Sequence, residues 1–182
     1  MALFEKFGEL SSAAEINRKA EELFNDNDMD GLRALACENG IPDEYVEFYM
    51  SGETEVLCDD MMAAVGKIDM EVDEMAPIGV LTDWSDYIRA QCMEDDAFSA
   101  QVRRKGKSLE GCLAKIAIYA LINAKPLPVG VIKEMEAAAK EHSKELKEAG
   151  IEYRWIQYTK TGAPSAETAR KIIREYYMGG AA

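Results

Sequence analysis

Ser12-Ala-Ala-Glu-Ile-Asn-Arg-Lys-Ala-Glu-Glu-Leu23 reads as the opening of an amphipathic helix. Ser12 and Glu15 form a capping box, in which the hydroxyl takes an early backbone N–H and the carboxylate reaches back to the cap. Ile16, Ala20 and Leu23 then fall on one face at helical spacing. The same grammar recurs along most of the chain, and it decides the fold class: mainly α.

Working outward, a second short helix carries Leu32, Leu35 and Ala36 and stops at Asn39-Gly40. Pro42 opens a third with Tyr45, Val46 and Tyr49, ending near Gly52. A fourth places Leu57, Met61, Ala64 and Ile68 together. Residues 1–70 are thus expected to form an acidic helical bundle. Residues 69–79, which contain Pro77 and Gly79, read as a linker.

Residues 79–182 are expected to form a second helical unit. Its helices carry Leu81, Trp84, Ile88 and Cys92; then Phe98 and Val102; then Leu109, Leu113, Ile116 and Ala120, closed by Pro126 and Pro128. A long helix follows with Val131, Met135, Ala138, His142 and Leu146 on one stripe, ending at Gly150. Residues 151–161 have strand propensity through Tyr153, Trp155, Ile156, Tyr158 and Thr159. At most a short strand or an extended connection is expected there, the extended connection being favoured because a lone strand has no sheet to join. The last helix puts Ala169, Ile172, Ile173 and Tyr176 on one face.

Charge is spread very unevenly. Residues 1–100 hold 25 Asp and Glu against 6 Lys and Arg, whereas residues 101–182 hold 9 against 15. Such an asymmetry points to a protein that meets a charged macromolecule. Hydrophobic content of 48% is too high for a disordered chain, and no apolar run is long enough to span a bilayer. The first residues lack the basic-then-apolar layout of a secretory signal, so a cytoplasmic protein with reduced core thiols at Cys37, Cys58, Cys92 and Cys112 is expected.

Two charged constellations stand out. Arg103-Arg104-Lys105-Gly106-Lys107 packs four cations into five residues at a helix-to-helix junction. Together with N–H groups of the following helix, it could hold a phosphate. Arg170, Lys171 and Arg174 offer a second patch on the last helix. Equally open is the internal reading, in which these cations pair with the chain's own carboxylates. The acidic half has clusters at Asp59-Asp60, at Asp69, Glu71, Asp73 and Glu74, and at Glu94-Asp95-Asp96. These are either a solvated surface or a partner-binding row of carboxylates that stands in for phosphates.

Motifs for chemistry are thin. Asp26-Asn-Asp28-Met-Asp30-Gly31 resembles half of a calcium loop, but Cys37 stands where a bidentate Glu is needed. The plainer reading is a turn with Asp28 or Asp30 as N-cap, and no metal or cofactor is expected. His142 is the only histidine, and a cysteine nucleophile assembled with it by folding is the third-ranked reading. No enzyme activity is expected.

Arg104-Lys-Gly-Lys-Ser-Leu-Glu-Gly-Cys112, with the terminal Lys171-Ile-Ile-Arg-Glu-Tyr-Tyr177, resembles PcfK-like proteins of conjugative plasmids and type II-A anti-CRISPR proteins. Phe7-Gly-Glu-Leu through Gly40-Ile41-Pro42 is similar to the acidic leader of the anti-CRISPR members. In this chain Leu113-Ala114 follow Cys112 where the PcfK-like pattern has an aromatic. The resemblance implies an inhibitor that binds the RNA-guided nuclease Cas nine with its guide RNA, in a bacterial cytoplasm, without chemistry of its own. It also implies that duplex DNA is a possible further partner. Such a nuclease holds its heteroduplex in a positive channel, which an acidic face could occupy. The alternative is an accessory DNA-binding protein of a conjugative element or phage.

Overall fold

A computed structural model describes residues 4–152, 155–156 and 159–179. Its order is α1 (Ala13–Asn25), α2 (Met29–Glu38), α3 (Asp43–Ser51), α4 (Asp60–Met75), α5 (Val80–Glu94), α6 (Asp96–Val102), α7 (Leu109–Ile122), β1 (Lys125–Pro126), α8 (Val129–Glu141), α9 (Ser143–Glu148), β2 (Lys160–Thr161) and α10 (Ala166–Met178). The fold is mainly α, as the periodicity predicts. No helix among the described residues is long and apolar enough to cross a membrane.

Local chemistry sets the helix starts. Ser12 Oγ accepts from Glu15 N at 3.2 Å, while Glu15 Oε2 accepts from Ser11 N at 2.7 Å, so the return arm of the box lands one residue early. Asp28, Asp59 and Asp95 cap α2, α4 and α6 through Gly31, Met62 and Phe98 N–H groups. Asp28 therefore serves as the turn's cap.

The chain forms two compact units, residues Met1–Lys115 with Ala169–Ala182, and Ile116–Thr168. This differs from the division at residues 70–79. α4 runs unbroken to Met75, and it packs against both α5 and α6. Helix therefore occupies most of the expected linker, and only 76–79 separates α4 from α5.

In the first unit, Ile16, Ala20 and Leu23 of α1 meet Leu32, Leu35 and Ala36 of α2, with Val46, Leu57 and Ala63 around them. α2 and α4 touch backbone to backbone. A Cβ on Gly66 would lie 2.4 Å from Asn39 O, and one on Gly40 would lie 2.4 Å from Gly66 O. Ile88, Cys92, Phe98, Val102, Leu109, Cys112, Ala169, Ile173 and Tyr177 are also buried in this unit. Tyr177 takes the inward place on α10 and stacks edge-on to Phe98 at 5.3 Å, while Tyr176 is only half-buried.

In the second unit the expected long helix is two, α8 and α9, broken at His142. No glycine or proline marks the break, so periodicity runs straight through it. The inward stripe is Ile132, Met135 and Ala139, one residue away from the predicted Val131 and Ala138, and His142 is exposed. β2 does have a partner: Lys125 pairs with Thr161 and Pro126 with Lys160, antiparallel. Lys-Pro is a poor strand signal, which is why the pairing was not expected. The predicted contributions of Tyr153 and Tyr158 lie outside the described residues.

Candidate functional site: the basic junction and the acidic surface

The junction between α6 and α7 splits its four cations. Arg103 is fully buried and Arg104 is exposed, although they are neighbours. Arg103 follows Val102 at the inward end of α6, four residues after the buried Ser99. Its Nε donates to Leu10 O at 2.9 Å, one terminal nitrogen donates to Ala63 O at 3.4 Å, and the other to Asn39 Oδ1. Phe4 lies over the guanidinium at 5.3 Å. A planar fork with five donors suits three acceptors on three separate segments. In this arrangement Arg103 is internal and makes no outward contact, in contrast to the external position expected of it.

Lys107 is internal as well. Its ammonium donates to Tyr176 O and sits 4.9 Å from the Tyr176 ring centre. Only Arg104 and Lys105 of the cluster face outward, in the α6–α7 turn just before Gly106, which has φ +79°.

The start of α7 is likewise occupied. Leu109 N donates to Glu71 Oε2 at 2.8 Å, Ser108 N donates to the Tyr176 hydroxyl at 3.0 Å, and Gly111 N to Ser108 Oγ at 3.1 Å. The helix N-terminus that was expected to help hold an external phosphate already holds the protein's own carboxylate. Glu71 is thus buried rather than part of an outward acidic row. Burial pushes its carboxyl up from the usual value, and the Leu109 amide and Lys67 pull it back down.

Sequence reasoning missed Lys67, a fully buried ammonium on α4. Its Nζ meets Glu9 Oε1 at 2.7 Å, donates to Lys107 O, and lies 3.9 Å from Glu71 Oε1. The signal was present: Lys67 and Glu71 are four apart on the face that also carries Ala63, Ala64 and Ile68. A charged pair on an apolar stripe announces a buried network.

On α10 the three predicted cations are exposed. Arg170 stacks over the Tyr87 ring at 5.1 Å, Lys171 lies 3.8 Å from Glu175, and Arg174 lies 3.3 Å from Asp95. The structure does not bring them together with Arg104 and Lys105 through any shared bond among the described residues. Asp59, Asp60, Asp73 and Glu74 are exposed, at the two ends of α4.

The thiols divide in the same inside-or-outside way. Cys58, Cys92 and Cys112 are buried, and desolvation pushes each up to about 12, which holds them protonated. Cys37 is exposed, in contrast to the core position expected for it. Since the thiolate is the nucleophile, a thiol reagent applied to native protein should modify Cys37 alone, the other three reacting only after denaturation. Mass spectrometry of the adduct checks this, and fast labelling of a second cysteine would contradict the burial.

Compared with known proteins, the chain matches no family model, no curated protein and no solved structure.

Proposed function

We propose that this protein is a non-catalytic inhibitor of a type II CRISPR RNA-guided nuclease, the Cas nine enzyme, acting by occupying the enzyme's positive nucleic-acid channel. The resemblance of the 104–112 and 171–177 segments supplies the partner. What supports the mode of action is where the charge lies. Residues 116–168 hold seven Lys and Arg and seven Asp and Glu, so the whole net charge of −13 falls on the other unit.

Within that acidic unit three cations are spent internally. Lys67 and Arg103 are buried, and Lys107 is held against Tyr176. Asp59, Asp60, Asp73 and Glu74 meanwhile point outward. A channel built for phosphates attracts any polyanion, and spaced carboxylates on a rigid helix offer one without the entropic cost of ordering a strand. Occlusion of this kind consumes one inhibitor per enzyme and turns nothing over.

Titrating the protein against nuclease, guide RNA and target duplex tests the reading. Cleavage should fall to background near one inhibitor per nuclease. Full cleavage at a large excess would remove the proposal.

A further inference from the structure

Residues 4–11 run across the buried cations before α1 begins, and their hydrogen-bonded anchors are charged. Glu38 accepts from Lys6 N at 2.6 Å and Phe7 N at 3.0 Å; Glu9 reaches Lys67; Leu10 O takes the Arg103 guanidinium; Phe4 covers it. Among the described residues, each hydrogen bond between residues 6–10 and the rest of this unit has a charged side chain as one partner. Phe7 and Leu10 add partly buried apolar contacts.

The charge arithmetic of the cluster gives this segment a role. Lys67 and Arg103 carry two positive charges, and Glu71 supplies one negative charge from α4 itself. The second comes from Glu9, on the segment. Buried ions persist only when paired, so the cluster is balanced with the segment in place and cationic by one without it. Lys67 also bonds Lys107 O, which joins the cluster directly to the loop that presents Arg104 and Lys105.

We propose that residues 4–11 are a strap over a concealed phosphate-binding site, in which Glu9 holds the place of a nucleic-acid phosphate that Lys67, Arg103, Arg104 and Lys105 would bind once the strap is displaced. The site is independent of the acidic surface invoked for nuclease binding, so either idea stands or falls without the other. It gives the buried member of the cationic run a use: Arg103 is held in reserve, and the exposed Arg104 and Lys105 mark where the phosphate backbone first lands. Displacement exchanges one set of charge-assisted bonds for another of the same kind.

Two release variants test this against a short DNA duplex at low salt, by fluorescence anisotropy. One lacks residues 1–11; the other is full length with Phe7→Ala and Glu38→Gln, which loosens the strap yet keeps every charge of the cluster. Both should bind the duplex at least about tenfold more tightly than the parent chain. Their log–log salt slopes should be steeper by about two, roughly one per added phosphate contact. Circular dichroism identifies the folded variants, and a folded release variant with parental affinity and slope overturns the proposal. Hydrogen exchange on the parent chain needs no variant: excess duplex should speed exchange of the Lys6 and Phe7 amides, and unchanged exchange counts equally against it.

Discussion

Replacing Arg103 with alanine is expected to destabilise the protein by about 3–5 kcal/mol, whereas the same change at Arg104 should cost under about 0.5 kcal/mol. The two residues share a type and a peptide bond, and differ only in what surrounds them. Arg103 bridges Leu10 O, Ala63 O and Asn39 Oδ1 inside the core, and Asn39 is itself fully buried. Removing the guanidinium leaves Leu10 O and Asn39 Oδ1 without their donor in a place that water reaches poorly, and each such loss costs about 1–3 kcal/mol. It also removes a positive charge from around Glu9 and Glu71. Lysine is a poor substitute, because its point-like ammonium lacks the wide planar fork that reaches Leu10 O, Ala63 O and Asn39 Oδ1 from one side chain. Urea midpoints of the two variants, compared at equal slope, decide the matter. Equal midpoints would mean that Arg103 is not where the structure puts it.

Gly66→Ala should destabilise by about 2–3 kcal/mol, the reverse of what helix propensity alone implies. Alanine in a helix interior ordinarily gains about 0.5–1 kcal/mol over glycine. Here the added methyl would meet Asn39 O at 2.4 Å and Gly40 O at 2.8 Å, both backbone atoms that no rotamer change can move. α4 must then back away from the end of α2, opening the contacts of Ala63 and Leu35 along with it. Gly130 in α8 is the control, since nothing lies within 4 Å of its would-be Cβ. Alanine there should be neutral or stabilising by about 0.5 kcal/mol. Thermal unfolding of both variants checks the sign, and a stabilised Gly66→Ala protein would refute the backbone contact.

Helices that carry a clean stripe and a side-chain cap were legible from the sequence. α1, α2, α6 and the first half of α7 bury the residues that their spacing selects, because local pattern and tertiary packing agree there. Where no cap or breaker marks an end, spacing misled. The α8 stripe slips by one residue, and its end at His142 has neither glycine nor proline beside it. The β1–β2 pair rests on two residues from each of two distant segments, which is below what propensity can see.

The candidate site was half legible for a different reason. Composition identified the basic run and the acidic clusters, but not which members face inward. Arg103 caps the C-terminal end of α6 and Arg104 lies in the turn beyond it, and only the position of Val102 and Ser99 in the core fixes which of them turns in. Glu71 and Lys67 could have been found as charges on an apolar face. Tyr176, which closes the α7 start from α10, lies too far along the chain for any local pattern to reveal.

Cleavage by the guide-loaded nuclease, measured with the parent protein and with a variant carrying Asp59→Asn, Asp60→Asn, Asp73→Asn and Glu74→Gln, tests the central claim most directly. These four side chains are exposed, and asparagine still caps α4 at position 59, so the fold should survive. The parent should arrest cleavage near equimolar ratio, and the variant should need at least about tenfold more, with the difference shrinking as salt is raised. Equal inhibition by the folded variant, or full cleavage in the presence of excess parent protein, would contradict the account.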